Sequence, residues 1–309
     1  MRHTIILCTL LLFVRSAIAQ GPAFHWPLDE SNGVTANPVS GGSNGTLVGG
    51  VLWDPTGGHH DGAARFDGVD DRILFGPCDL TNGGNAISVS LWVKPDFVTG
   101  AERTLIAKTI GPLLSDHIWS LAFVNATAIR FRLKAGAATT ELVSAPSSLF
   151  GGNWYHIAAT YDGTEMRILI NGALIASTAK SGSIGYFPQA PASLGALSTG
   201  NAPISAWIDD VRIYDRALSD QEILNILFET LTTGVNEQRP ATVPSNGRLT
   251  LPSGDWSSLQ VIDPAGRTVQ HHQPINASTT MDLDPLPAGM YLVCLQGHGA
   301  RWTSRILVP

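Results

Sequence analysis

The segment from Asn153 to Ser177, NWYHIAATYDGTEMRILINGALIAS, constrains this chain more than any other stretch. Short apolar runs in it are separated by Asp162-Gly163 and Asn171-Gly172. Asn-Gly favours the two-residue hairpin turn whose twist matches that of the flanking strands. The segment therefore predicts three consecutive strands joined by two tight turns.

The same pattern recurs along the chain. In AISVSLWVKPD, Ile87, Val89, Leu91 and Val93 share one face, and Ser88, Ser90, Trp92 and Lys94 share the other, because strand side chains alternate. FHWPLDE reads as a first strand, GAARFDGVDDRILF as two strands around Asp67-Gly68, and WSLAFVNATAIRFRLKAG as a hairpin. Helix-length periodicity is almost absent. The exception is LSDQEILNIL, where Ser219 and Glu222 have capping-box spacing and Ile223, Ile226 and Leu227 form an apolar stripe. Short alternating runs bounded by Gly, Asp and Asn indicate an all-β chain of the sandwich or barrel kind.

The first 19 residues, MRHTIILCTLLLFVRSAIA, have a polar start, an apolar run and an Ala-x-Ala end. That is the pattern of a secretory signal peptide, and no later run is long enough to span a bilayer. Loss of Arg2 and Arg15 with such a leader takes the formal charge from -6 to -8. With no basic stripe, nucleic acid is not an expected partner. Cys78 and Cys294 would then be the remaining cysteines, too few for a disulfide framework, and they are expected to be separate thiols.

The candidate chemistry starts at SAWIDDVRIYDRAL. By alternation Asp209 travels with Trp207, Val211 and Ile213, toward a core, while Asp210 shares a face with Arg212. Adjacent acids on opposite faces cannot flank one bond. An inward carboxylate is costly unless paired, hydrogen-bonded or bound to a metal. Asp67, Asp70 and Asp71 are expected to serve a turn. His59-His60-Asp61 lies on a Gly-rich stretch without defined ligand spacing and reads as a surface loop. Most of the tryptophans should fill the core; Trp53 and Trp119, nearest predicted loops, are the candidates for an exposed sugar-stacking position. Paired glycosidase carboxylates, G-x-S-x-G and His-Glu-x-x-His are all missing, so the expected activity is binding rather than catalysis.

NWYHIAATYDGTEMRILINGALIAS followed by WIDDVRIYDRALSDQEI resembles the laminin-G-like, concanavalin-A-like jelly-roll family. FHWPLDE, NGTLVGG, GAARFDGVDDRILF and ISVSLWVKP stand upstream in the expected order. The resemblance implies a two-sheet antiparallel jelly-roll sandwich over residues 22–230. It also implies that the first and last strands pair antiparallel, which would bring Asp29 and Asp209 together. Two carboxylates with loop carbonyls suit calcium; the alternative is Asp209 bonded to backbone amides or to an arginine such as Arg65. After a linker at 231–240, residues 241–309 resemble the C-terminal sorting domain of the bacterial type IX secretion system. The carrying residues are Val261-Ile262-Asp263 with Gly266-Arg267, Leu286 to Tyr291, and Arg305 to Val308. That implies a small Ig-like β-sandwich that engages the secretion machinery. The protein expected from both resemblances is secreted or displayed on the outer surface of a bacterium. It would bind glycans or surface proteins through jelly-roll loops; a glycan-active hydrolase and a structural surface-layer protein are the alternatives.

Overall fold

The computed structural model describes residues 20–80, 84–96, 100–125, 127–146, 149–229, 241–242, 248–251, 256–263, 268–272, 280–283, 286–287, 289–297 and 301–308. The expected leader at 1–19, the linker at 231–240 and Gly266-Arg267 lie outside the described residues.

Two antiparallel sheets face each other across one core. The first orders the strands Ala173–Ala179, Glu165–Ile170, Tyr155–Tyr161, Ile87–Pro95, Ser205–Tyr214, Ala63–Asp67 and Leu52–Asp54, with Phe24–Trp26 also paired to Ser205–Tyr214. The second orders Ala138–Val143, Ala128–Ala135, His117–Val124, Arg103–Thr109, Ala192–Leu194, Arg72–Gly76, Gly45–Val48 and Thr35–Ala36. First and last strands pair antiparallel as expected, with His25 opposite Arg212 and Trp26 opposite Val211. The two strands of GAARFDGVDDRILF fall in different sheets, so Gly68–Asp71 crosses from one layer to the other.

Local sequence rules explain much of this. Ile87, Val89, Leu91 and Val93 all enter the inter-sheet core. Asn171 and Gly172 both have positive φ, at 49° and 78°, as the favoured hairpin turn requires. The helix Asp220–Leu227 has its capping box, and Ile223, Ile226 and Leu227 are buried. Ile223 and Ile226 pack on Ala158, Leu169 and Tyr214, so the helix covers part of the first sheet's outer face.

Gly195 marks where close packing leaves no room for a side chain. Its φ is +83°, and a Cβ there would lie 2.3 Å from the Phe66 ring. Phe66 is fully buried between the sheets and cannot retreat without disturbing its neighbours. Gly195→Ala should cost about 2–4 kcal/mol from left-handed backbone strain plus overpacking. Urea unfolding will read this as a lower midpoint at constant slope; an unmoved midpoint would mean that the contact yields freely.

The C-terminal region builds a five-stranded sheet in the order Ala241–Thr242, Arg301–Val308, Gly289–Gly297, Trp256–Ile262, Thr268–His272, and a two-stranded sheet of Arg248–Thr250 with Thr280–Asp282. It has its own core of Leu249, Leu251, Leu259, Val261, Met281, Leu283, Tyr291, Val293, Leu295, Ile306 and Val308. Among the described residues, no helix is long and apolar enough to cross a membrane. Cys78 and Cys294 are both buried and not in a disulfide.

Candidate functional site

Asp209 and Asp210 correct the alternation argument. Asp209 sits opposite Trp92 and Arg212 opposite Ser90, so three steps on the last strand match two on Ile87–Pro95. The extra residue is a β-bulge, centred on Asp210 with φ +50°. Core contacts change parity across it: Ala206 and Ile208 precede the bulge, Val211 and Ile213 follow it. Asp209 therefore does not point inward with Val211 and Ile213. Both acids project from the first sheet's outer face, and both are buried there, Asp209 at 0 % exposure and Asp210 at 5 %.

The two carboxylates have different partners. Asp210 Oδ1 lies 2.6 Å from His25 Nε2 and accepts from Arg212 Nε at 3.0 Å. Arg212 Nη2 is 2.9 Å from Asp210 Oδ2, and its Nη1 meets Glu229. Burial alone would raise the Asp210 carboxyl, but His25 and the Arg212 guanidinium hold it down to about 2. Asp209 has no such cation. Its Oδ2 accepts from the His60 amide at 2.8 Å, while Oδ1 is buried without a hydrogen-bond partner. Burial pushes this carboxyl up to about 8, the His60 amide opposes the rise, and the negative charges of Asp210 and Asp29 add to it. Asp29 Oδ1 accepts from the Gly62 amide at 2.9 Å, and burial raises this carboxyl as well. Arg65, the alternative partner considered for Asp209, is bound instead to Asp96 at 2.5 Å.

The strap across these acids is Gly57 to Gly62. The expectation of a free surface loop is overturned for His59 and His60, which are only partly exposed. The His59 ring stacks on Trp92 at 3.3 Å and 10°, and His60 lies edge-on to both. His156, directly opposite Trp92 on the neighbouring strand, is fully buried. His59 Nδ1 and both ring nitrogens of His60 and His156 are buried without hydrogen-bond partners. Burial lowers His59 to about 3 and His156 to about 3, and lowers His60 as well. All three rings are neutral at pH 7.

An aromatic row continues along the same face. Trp207 lies opposite Lys94 on one side and Arg65 on the other. Lys94 Nζ is 4.3 Å from the Trp207 ring and 5.2 Å from the Trp154 ring, and Arg65 Cζ is 4.2 Å from Trp207. Trp207 Nε1 donates to Asp54 at 3.1 Å. Trp154 and Trp207 are both partly exposed. The tryptophans nearest predicted loops are placed differently. Trp119 is 2 % exposed and belongs to the inter-sheet core, so it offers no stacking surface. Trp53 packs at the core rim with its Nε1 donating to Gly33. The alternation of ISVSLWVKP, with Trp92 and Lys94 on its polar parity, was the sequence signal for this row.

Asp67, Asp70 and Asp71 come together with ligating oxygens within 4.8 Å of one another. The turn accounts for them: Asp67 accepts from the Val69 amide, and Asp71 from the amides of Asp67 and Gly50. On the second sheet's outer face, Glu102 and Glu141 are bridged by Arg130 and Arg132.

Residues 67–224 match the family model described as the concanavalin A-like lectin/glucanases superfamily, and residues 243–309 match that of a secretion system C-terminal sorting domain. Among solved structures, the receptor binding domain of botulinum neurotoxin D is 14 % identical with a TM-score of 0.52, over 92 % of this chain and 74 % of that one. A Trypanosoma rangeli sialidase, in complex with a difluorinated keto-deoxy-nononic acid, is 17 % identical with a TM-score of 0.50, over 70 % of this chain and 34 % of its own. Domain 4 of the Geobacillus stearothermophilus extracellular arabinanase AbnA, in complex with arabinotriose, is 20 % identical with a TM-score of 0.47, over 66 % of this chain and 96 % of its own. At such identities the likeness is one of fold. No curated protein matches the chain.

Proposed function

The chain belongs to the concanavalin A-like lectin/glucanases superfamily and carries a type IX secretion sorting domain that marks it for export to the cell surface or beyond, and on that premise we propose that it is a glycan-binding protein. The observation that carries this reading is the partly exposed row Trp154, Lys94, Trp207 and Arg65. The Trp154 indole offers an apolar face to a sugar, Trp207 is held between Lys94 and Arg65, and Lys94, Arg65 and Asp54 supply hydrogen-bonding groups beside the rings. Lys94, Trp207 and Arg65 lie on strands and Trp154 immediately precedes the strand Tyr155–Tyr161, so most of the row's geometry is set before a ligand arrives.

Trp154→Ala and Trp207→Ala should each weaken binding on a polysaccharide panel by roughly tenfold or more, as removal of an aromatic anchor does. Trp53→Phe, at the core rim, should bind like the parent. Equal binding by all three variants would remove the row from the site. A panel blank for the parent protein would leave a surface protein as the partner, and release of reducing sugar would make the chain a hydrolase.

We further propose a calcium ion held by Asp29 and Asp209. The donor set fits: two carboxylates strapped by one loop, one of them with a buried oxygen lacking a hydrogen-bond partner. Calcium takes such hard oxygen donors with backbone carbonyls. It would supply the positive charge that Asp209 otherwise lacks and tie the segment that follows the first strand to the last strand.

A further inference from the structure

The sorting domain has a second apolar face. In GMYLVCLQG the odd positions Tyr291, Val293 and Leu295 enter that domain's own core. The even positions Leu292 and Cys294 are also buried, 1 % and 8 % exposed, and side chains at even positions leave the sheet on its other side. A strand apolar on both parities needs cover on both faces. The two-stranded sheet lies with the first face, through Leu249 and Met281. The second face meets the jelly roll: Leu292 and Cys294, with Ile262, pack against Trp92, Leu227 and Phe228, flanked by Trp154 and Leu224.

We infer that the sorting domain acts as a cap on the jelly roll's outer face, seated on the C-terminal end of the helix Asp220–Leu227 and on Trp92. The cap closes the inner end of the aromatic row, because Trp154 is both a row member and a flank of the contact. Its consequence for ligand binding rests on the glycan reading above; the cap itself does not. While seated, the cap shields Leu224, Leu227 and Phe228 and narrows access to Trp154. Once displaced, it leaves an apolar surface continuous with the row, enlarging the area open to a sugar chain.

Cys294 lies in the contact and reports on it. In the chain from Gln20 carrying Cys78→Ala, Cys294 is the one remaining thiol. It should react slowly with a soluble aromatic disulfide reagent in the parent protein. Leu227→Asp, which places a charge against Leu292 and Cys294, should accelerate the reaction at least tenfold without loss of cooperative melting. Leu224→Asp, at a partly exposed flank of the same contact, should act in the same direction and serves if Leu227→Asp disturbs the helix. Thiol reactivity in the parent as fast as in denaturant, or unchanged in both folded variants, would overturn the cap. Glycan affinity, measured on the same variants, should rise severalfold, and Trp154→Ala should abolish the gain. Accelerated thiol reaction with no sugar bound by any variant would keep the cap and reject the glycan reading.

Discussion

Calcium should raise the melting temperature of the protein, a chelator should lower it, and Asp209→Asn should erase the response. Asp209 is buried, its Oδ1 has no hydrogen-bond partner, and its carboxyl is pushed up to about 8. At neutral pH without a cation it keeps a proton or bears an uncompensated charge, either of which costs stability. An ion that binds only the folded state stabilises it by mass action, about 2.7 kcal/mol at a hundredfold excess over Kd. In a domain of this size that corresponds to about 5–10 °C. Asp29→Asn should weaken the response. Asp210→Asn should leave it in place, although Asp210 shares the outer face with Asp209, because its oxygens are already engaged by His25 and Arg212. That variant should instead lower the baseline stability by about 3–5 kcal/mol, the usual cost of stranding a buried partner charge. Elemental analysis is the direct check: no bound metal, with a melting curve indifferent to calcium and chelator, would leave Asp209 as a protonated strand acid.

In chelator, stability should peak near neutral pH and fall on both sides. His59 and His156 are lowered to about 3, and His117 to about 4, in each case chiefly by burial. Between those values and the ordinary 6.5, the unfolded chain binds more protons than the folded one, so stability falls as pH falls. Asp209 has the opposite sign. Between 3.8 and about 8 the folded state holds its proton and the unfolded state does not, so stability falls as pH rises. Below 6.5 the three histidines outnumber Asp209 and the acid limb is steep. Above 6.5 Asp209 acts unopposed, and the alkaline limb is at most about 1.4 kcal/mol per pH unit. Calcium should flatten that alkaline limb by replacing the proton. Denaturant midpoints measured from pH 4 to 8 with and without calcium test both signs. A monotonic rise to pH 8 in chelator would contradict the Asp209 assignment, and acid resistance below pH 5 would contradict the neutral histidines.

The sequence by itself determined the features that depend on neighbours along the chain. The alternation in ISVSLWVKP, the Asn171-Gly172 turn and the Ser219/Glu222 capping box are local rules, and each appears as read. The pairing of first and last strands was not a local rule; it followed only as an implication of the family resemblance, and it is present. Tertiary structure alone decided the site. Whether a bulge interrupts the last strand depends on its partner, because the extra residue exists only relative to Trp92 and Ser90 on another strand. That single insertion moved Asp209 to the face of Asp210 and undid a period-2 argument that is valid only while register is unbroken. His59 and His60 look like loop decoration until the fold lays them on Trp92, 33 positions from His59. Trp119 and Trp207 carry equally apolar rings, but one strand direction turns the first into the inter-sheet core and the other leaves the second between Arg65 and Lys94. Periodicity assigns a side chain to one face of a strand; which faces meet, and what closes over them, is set by contacts between residues far apart in the chain.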